Sequence, residues 1–297
     1  MCGIFGFTGR VDNAHALLTS LFLANRERGT DSAGLAAVTK DKAEVIKMAV
    51  DPREFVQENS FRKMANRKDV VTFLGHTRWA TRGAISDSNA HPFISGRTVG
   101  IHNGTVNNFS TFKGFTGKRW SNDSRHLIYS LNKYGHVGPA TGSINLAWCD
   151  LRNDVDLNLV RSGSTLHYAI TVDNQAVIFS SDENHLIDAL QVAGIFNYHL
   201  VSVWNFSKVV VKRTACGQLS VEEFTASDIL PEVTHKKKTQ TPIKVEKSYS
   251  EKSYSDDWYD FERDSYGDIA YGQIEDNPYP DNLEKLEEEG RIKCRVS

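Results

Sequence analysis

Long apolar runs are absent from this sequence of 297 residues, which contains no stretch of 18 consecutive apolar residues. A helix needs about 20 mainly apolar residues to cross a membrane, so the sequence offers no candidate for one. The N-terminus also lacks the basic and apolar regions of a secretion signal. These absences predict a soluble protein of the cytoplasm that does not act in a membrane.

Cysteine is scarce, and neither sign of charge dominates. The four cysteines, at positions 2, 149, 216 and 294, form no Cys-x-x-Cys pair and no metal-ligand spacing. This pattern is typical of reduced thiols in a cytosolic protein, and we expect neither a disulfide framework nor a metal or cofactor. The formal net charge of -2 gives no reason to expect nucleic acid or an acidic membrane surface as a partner.

The composition changes near residue 230. A stretch rich in lysine, serine and tyrosine (235–255) is followed by a strongly acidic one (256–289), and aliphatic residues become few. Such a segment buries too little apolar surface to offset its ordering entropy, so we expect a mostly solvated tail. The alternative is that its aromatic side chains, Trp258 and Tyr259 among them, anchor it to a partner.

The first 215 residues have a strand-rich pattern with a few helices. Apolar segments recur every ten to fifteen residues, which predicts ten short strands between Ala33 and Lys212 after a first strand at Gly3 to Thr8. Helices are predicted over Asp12 to Arg28, capped by Asp12 and stopped by Gly29, and from Asp51-Pro52 to about Arg62. Two more are predicted to begin at Asp123 and Asp182. Mixed helices and strands indicate an α+β protein with helices packed on antiparallel sheets.

Cys2 is a candidate nucleophile because of its place in the sequence. Removal of Met1 leaves it as the N-terminal residue, and a free α-amino group titrates near 7.7–8.0, close to working pH. Such an amine can take the proton of the neighbouring thiol, as in N-terminal nucleophiles. On this observation alone, a cysteine that stands second by chance is the more common case.

Polar clusters interrupt the apolar strands at four places. Each has a simple structural alternative: Arg78 is suited to a surface ion pair, His91 to a loop, and Asn103-Gly104 to a turn. Together with the N-terminus they make five motifs in a fixed order: CGIFG at 2–6, RGTDSAG at 28–34, GHTRWATRG at 75–83, NAHPF at 89–93 and HNGTVNNF at 102–109.

These five motifs resemble those of class II glutamine amidotransferase domains, above all the glutaminase half of glucosamine-6-phosphate synthase. The resemblance spans residues 2–215, which we predict to be the amidotransferase domain, with 216–297 as a polar, partly disordered tail. It implies an N-terminal-nucleophile hydrolase fold, a four-layer αββα sandwich of two antiparallel sheets. It also implies a thiol enzyme that releases ammonia from glutamine.

The resemblance assigns roles that suit the chemistry of each residue. Cys2 would attack the amide carbon of glutamine, and the oxyanion would be held by the Asn103 side-chain amide and the Gly104 peptide N–H. Arg78 would bind the α-carboxylate through its planar fork, and Asp123 would bind the α-ammonium group.

Four further residues receive supporting roles from the resemblance. Trp79 and Thr81 would line a loop that closes over substrate, Arg28 would lie beside the nucleophile, and His91 would support a loop without joining a catalytic triad. Arg82 departs from the family, which usually has histidine there.

No acceptor domain is recognised after residue 215, so the destination of the ammonia is open. We favour a glutaminase that delivers ammonia to a separate synthase. The alternatives are a γ-glutamyl amide hydrolase without an acceptor and a catalytically silent binding module of the same fold.

Overall fold

The computed structural model describes residues 2–153 and 155–230, together with the backbone of the short strand at 292–294. Within these residues the chain forms fourteen strands, six α-helices and three short 3-10 turns. The strands are β1 (Gly3–Gly9), β2 (Ser32–Val38), β3 (Ala43–Met48), β4 (Thr72–Arg78), β5 (Phe93–Ser95), β6 (Thr98–Val106), β7 (Gly142–Asp150), β8 (Val155–Arg161), β9 (His167–Thr171), β10 (Ala176–Ser180), β11 (Tyr198–Ser202), β12 (Ser207–Arg213), β13 (Leu219–Thr225) and β14 (Ile292–Cys294). The helices are α1 (Ala14–Ala24), α2 (Pro52–Phe55), α3 (Asn59–Ala65), α4 (Phe109–Thr116), α5 (Asp123–Tyr134) and α6 (Glu183–Val192).

The strands form two sheets. Sheet I has the order β11-β9-β10-β1-β4-β2-β3-β14, and sheet II has the order β13-β12-β8-β7-β6-β5. All pairs are antiparallel except that of β14 with β3. The predicted α+β class with two stacked antiparallel sheets is therefore confirmed.

Three apolar cores separate four layers, because neighbouring residues on a strand point to opposite faces. On β1, Phe5 joins the core shared with α1, α2, α3 and α6, whereas Ile4 joins the core between the two sheets. On β7, Ala147 faces the inner core and Trp148 faces the core shared with α4 and α5. The layer order is thus helix, sheet, sheet, helix, as the family resemblance implies.

The first helix differs from its prediction at both ends. It begins at Ala14 with Asn13 in the N-cap position, while the Asp12 carboxylate lies 3.4 Å from Arg10 Nε and caps nothing. From Asn25 to Arg28 the chain tightens into a 3-10 turn. Gly29 is not a left-handed stop, since its φ is 178°; a Cβ there would lie 2.2 Å from the carbonyl carbon of Arg78.

The second predicted helix is two helices, α2 and α3. Asp51 caps α2 as expected, accepting a hydrogen bond from the Arg53 peptide nitrogen at 2.9 Å, with Pro52 as the first helical residue. The helical pattern is interrupted after Phe55 and resumes at Asn59. Both pieces bury phenylalanines against α1, so one core is filled by two short helices.

The packed structure continues past residue 215. Strand β13 pairs with β12 along its whole length, and Ala226, Ile229 and Leu230 are buried against the α4–α5 layer. The predicted domain limits remain a prediction, and most of the predicted tail (231–291 and 295–297) lies outside the described residues. Among the described helices, none is long and apolar enough to cross a membrane.

Candidate active site

Cys2 lies at the end of sheet I, where β1 begins and its neighbour β4 ends. Gly3 pairs with Thr77, which places Cys2 beside Trp79, the first residue after β4. Cys2 Sγ is 3.4 Å from both the peptide nitrogen and the carbonyl oxygen of Trp79. Glycine at position 3 allows the start of β1 to lie close to Asn25, since a Cβ on Gly3 would lie 2.7 Å from the buried Asn25 Oδ1.

The environment of Cys2 favours the protonated thiol. Burial raises the pKa of the Cys2 thiol, and the Asp123 carboxylate adds to the increase. The Trp79 peptide N–H and the Arg78 cation act in the opposite direction but do not cancel the effect of burial. A reaction that needs the thiolate therefore needs a base close to Cys2.

Arg28 contacts the backbone of Cys2, and its predicted role in the site stays a prediction. Its Nε donates a hydrogen bond to the Cys2 carbonyl oxygen at 3.2 Å, and its Nη1 lies 3.5 Å from Asp182 Oδ2. Asp182 also caps α6 through the peptide nitrogens of Asn184 and His185. The backbone of Cys2 is thereby connected, through Arg28 and Asp182, to the start of α6.

Arg78 is buried and organises the loop that follows β4. Its guanidinium donates hydrogen bonds to the carbonyl oxygens of Ala84 at 3.0 Å and Arg82 at 2.6 Å. Burial lowers the pKa of Arg78, and the carboxylates of Asp31 and Asp123, together with Cys2 in its thiolate form, oppose the change. The three residues predicted for nucleophile, carboxylate and ammonium binding therefore lie within electrostatic reach of one another.

The predicted closing loop begins at Trp79 and is held at its base. Asp31 Oδ2 accepts a hydrogen bond from the Ala80 peptide nitrogen at 2.7 Å, and the Asp31 peptide nitrogen donates to the Arg78 carbonyl oxygen at 3.0 Å. The side chains of Trp79 (52% exposed) and Thr81 lie on the solvent side of the loop. The structure therefore fixes the backbone of this loop more firmly than these two side chains.

Asp123 is the first residue of α5, after Asn122 in the N-cap position. Its Oδ2 accepts a hydrogen bond from the Val106 peptide nitrogen at 2.9 Å, and its Oδ1 accepts one from the Ser124 peptide nitrogen at 3.0 Å. The positive end of the helix dipole also favours a carboxylate at this position. These contacts keep a buried negative charge at the end of β6.

Asn103 and Gly104 are adjacent residues of β6. Asn103 is buried, and its Nδ2 lies 3.4 Å from Ser164 Oγ, which in turn accepts a hydrogen bond from Asn145 at 2.9 Å. Gly104 has a φ of 146°, and a Cβ there would lie 1.8 Å from the Ser143 carbonyl oxygen. Glycine is therefore required at this position by both the backbone conformation and the adjacent strand.

Two buried histidines join the sheets behind these residues. His76 Nε2 lies 3.0 Å from the His102 carbonyl oxygen, and the His91 ring stacks on His76 with centroids 3.8 Å apart. Burial lowers the pKa of His76 to about 3 and that of His91 well below its usual value. His91 is buried against His76, and its predicted supporting role stays a prediction.

Sequence reasoning gave no role to several residues that shape the site. Asp31 and His76 lie inside the polar motifs, so the sequence marked their positions without assigning them a function, whereas Ser164 lies outside the five motifs. Asn145 gave no sequence signal of a role in the site, because it is a single polar residue within a predicted strand. Its side chain contacts Ser162, Ser164 and Thr165 and shapes the turn beside Asn103.

The chain is similar to several curated proteins that share one name, glutamine–fructose-6-phosphate aminotransferase (isomerizing). The protein of Buchnera aphidicola is 31% identical over 186 residues, which are 56% of this chain and 30% of that protein. That of Staphylococcus aureus strain N315 is 40% identical over 118 residues, 38% of this chain and 18% of that protein. That of Sulfolobus acidocaldarius is 35% identical over 117 residues, 38% and 19% of the two chains.

This chain contains a class II glutamine amidotransferase domain. No family model matches it, and the chain spans less than a third of the length of these relatives.

Solved structures show that the amidotransferase domain has the N-terminal-nucleophile fold. The glutamine phosphoribosylpyrophosphate amidotransferase of B. subtilis, complexed with ADP and GMP, superposes with a TM-score of 0.59 at 19% identity, over 74% of this chain and 49% of that one. A structure described as the allosteric regulatory enzyme of purine biosynthesis superposes with a TM-score of 0.60 at 19% identity, over 74% of this chain and 48% of that one. At 19% identity, this similarity shows a shared fold and nothing about function.

Proposed function

We propose that this amidotransferase domain hydrolyses the side-chain amide of glutamine to glutamate and ammonia through a thioester on Cys2. The observation that supports this most is the convergence of Cys2, Arg78 and Asp123 at one end of β1, β4 and β6. A nucleophile, a buried cation and a buried anion at one place match the three functional groups of an α-amino acid amide.

The reaction begins with a proton transfer. Removal of Met1 frees the α-amino group of Cys2, which takes the thiol proton; the thiol needs this base because burial raises its pKa. The sulfur attacks the amide carbon, and the resulting ammonium group protonates the departing nitrogen as the C–N bond breaks. Ammonia leaves, and the thioester remains.

The second half of the reaction uses the same amine. It takes a proton from water, the resulting hydroxide adds to the thioester carbon, and the C–S bond breaks. The proton returns to sulfur, and glutamate is released. In both halves the oxyanion accepts hydrogen bonds from Asn103 Nδ2 and the Gly104 peptide N–H, and one such donor is commonly worth about 2.7–4 kcal/mol in the transition state.

Recognition of glutamine follows from the two buried charges. Three of the five N–H groups of Arg78 are engaged by the loop carbonyls of Arg82, Gly83 and Ala84, and the remaining ones are proposed to hold the α-carboxylate. Asp123 is proposed to accept the α-ammonium group. Trp79 and Thr81, at the start of the loop, are proposed to close over the bound substrate.

We further propose that the ammonia is passed to a separate acceptor enzyme and that the protein acts in the cytoplasm, where free thiols such as Cys149 and Cys216 stay reduced. The competing hypothesis is a γ-glutamyl amide hydrolase without an acceptor. The two differ in the leaving group: a hydrolase of that kind accepts γ-glutamyl methylamide at a rate comparable to glutamine, whereas an ammonia donor prefers the unsubstituted amide.

The proposal is tested by mass spectrometry of the untagged full chain before and after reaction with 6-diazo-5-oxo-norleucine, a glutamine-shaped electrophile. We expect loss of Met1 and one stoichiometric adduct on Cys2. Cys216→Ala is the matched control, because this exposed thiol lies outside the site. In this variant Cys2 must react with the reagent to the same extent as in the wild type.

Activity measurements complete the test. Cys2→Ala is expected to abolish glutamate release and to leave the fold unchanged. A residue left ahead of Cys2 is expected to inactivate the protein, because acylation removes the base. Retention of Met1 in a fully active protein, or glutamate release by a pure Cys2→Ala preparation, would refute the proposed mechanism.

A further inference from the structure

The outer surface of α4 and α5 carries positive charge without negative charge. Residues 109–138 include five basic side chains and a single acidic one, Asp123, which is buried at the start of α5. Among the described residues, no carboxylate forms an ion pair with Lys118, Arg119 or Lys133. This excess of positive charge is exposed to solvent.

Aromatic rings lie between these cations. Lys118 Nζ is 5.0 Å from the centroid of the Tyr129 ring, and Lys133 Nζ is 5.1 Å from that of Tyr134. Phe115 packs on Tyr134 with centroids 4.9 Å apart, although each side chain is 37% exposed. We call this surface the α4–α5 face; it consists of Phe115, Lys118, Trp120, Tyr129, Lys133 and Tyr134.

The chain itself contains a segment of complementary chemistry. Residues 256–289, the acidic segment, hold thirteen acidic and two basic side chains together with six aromatic ones, including Trp258 and Phe261. Carboxylates complement lysines, and aromatic rings pack on exposed rings and cations. The α4–α5 face and the acidic segment therefore match in both charge and apolar character.

The continuous part of the described fold, which stops at Leu230, also ends next to this face. Ile229 and Leu230 pack in the core beneath α4 and α5, and the Ile229 carbonyl oxygen accepts a hydrogen bond from the Val137 peptide nitrogen at 3.0 Å, three residues after Tyr134. The 25 residues from 231 to 255 separate this point from the acidic segment. A chain of 25 residues can span at most about 80–90 Å, so its length allows the acidic segment to reach the face.

We infer that the acidic segment docks on the α4–α5 face of its own chain. Exposed ion pairs are individually weak, but tethering converts them into intramolecular contacts at an effective concentration of about a millimolar. At such a concentration a set of weak contacts keeps the face covered for much of the time. The inference does not depend on glutamine hydrolysis.

Carbodiimide cross-linking of the full chain tests the inference, because this reagent joins lysines to carboxylates that are in contact. We expect links from residues 256–289 to Lys118 and Lys133 at least fivefold above those to the exposed Lys63 and Lys212, which lie on other elements. We also expect this enrichment to disappear in 1 M salt, where screening reaches within about 3 Å. Equal linkage to all four lysines, or linkage only to Lys236, Lys237 and Lys238, would overturn the inference.

Two further experiments show whether the acidic segment of the same chain is what covers the α4–α5 face. In a mixture of ¹⁴N- and ¹⁵N-labelled chains, the links must be within one isotope; mixed links would show that a second copy covers the face instead. Chymotrypsin cleavage at the aromatics of the acidic segment is expected to be several-fold faster in Lys118→Glu/Lys133→Glu than in the wild type. Lys63→Glu/Lys212→Glu serves as the charge-matched control and should cleave like the wild type; an equal rate in all three proteins contradicts docking.

Discussion

His76 Nε2 lies 3.0 Å from the carbonyl oxygen of His102, and this contact joins the two sheets directly behind the candidate active site. His76 stands two residues before Arg78 on β4, and His102 stands one residue before Asn103 on β6. Because the partner is a carbonyl, Nε2 carries the proton and donates it. The contact thus links the strand that ends in the proposed carboxylate-binding residue to the strand that bears the proposed oxyanion donor.

The buried histidines predict a loss of stability in mild acid. The pKa of His76 is about 3 in the folded protein and 6.5 as its ordinary value, so the unfolded chain binds more protons between these two pH values. The free energy of unfolding therefore falls as pH decreases below 6.5, with a slope that approaches about 1.4 kcal/mol per pH unit for this residue. Urea unfolding at pH 7, 6 and 5 measures the slope.

The matched variants isolate the contribution of this histidine. His76→Gln keeps a donor for the His102 carbonyl and cannot titrate, so its slope between pH 6 and 5 should be smaller than that of the wild type. His199→Gln removes an exposed histidine and should leave the slope unchanged. Equal slopes in all three proteins would show that His76 is not the titrating group.

The backbone at Gly104 predicts a position that tolerates no side chain. Gly104→Ala must adopt a φ of 146° and displace the Ser143 carbonyl, so we expect a loss of at least about 1–3 kcal/mol of folding free energy. Gly114→Ala is the control: it lies in α4 with no atom within 4 Å of the added Cβ and should gain about 0.5–1 kcal/mol. Chemical denaturation measures both, and a neutral Gly104→Ala would contradict the strained geometry.

Arg78→Lys is predicted to weaken the binding of glutamine through its α-carboxylate. A charge-assisted hydrogen bond is worth about 1.5–3 kcal/mol, so the KM for glutamine should rise roughly tenfold or more. The KM for 4-aminobutanamide, which lacks the carboxylate, should change little. If the KM rises equally for both substrates, Arg78 acts through the loop carbonyls of Arg82 and Ala84 instead. Arg53→Lys, at an exposed site on α2, controls for the loss of an arginine elsewhere.

Phe22 is predicted to be a major stabilising residue of the core beneath α1. Its ring contacts those of Phe5, Phe55 and Phe61 at centroid distances of 4.8, 5.1 and 5.5 Å, and it is fully buried. Phe22→Ala should therefore cost about 3–5 kcal/mol. The adjacent Leu23 is 43% exposed, so Leu23→Ala should cost about 0.5 kcal/mol. Thermal or urea unfolding that ranks the two variants equally would contradict this packing.

Local patterns in the sequence were sufficient to predict those structural elements that depend on residues close together in the chain. Apolar segments that recur every ten to fifteen residues predicted β1–β4 and β6–β12 but not β5, β13 or β14. Asp51-Pro52 and Asp182 predicted two helix starts, and the structure has a cap at each. The same logic was wrong at Asp12, where a carboxylate pairs with Arg10 and Asn13 takes the N-cap position. Local propensity is a weak preference, which the tertiary context overrides.

The sequence by itself determined the chemistry available to this protein: a cysteine in second position, an asparagine followed by glycine, an arginine in a polar motif and an aspartate at a helix start. Only the tertiary structure decided how they meet. Pairing of Gly3 with Thr77 puts Cys2 beside Trp79, His76 joins β4 to β6, and Asn145 shapes the turn next to Asn103. These contacts connect residues far apart in the chain, so they depend on strand register and sheet stacking, which no local pattern encodes.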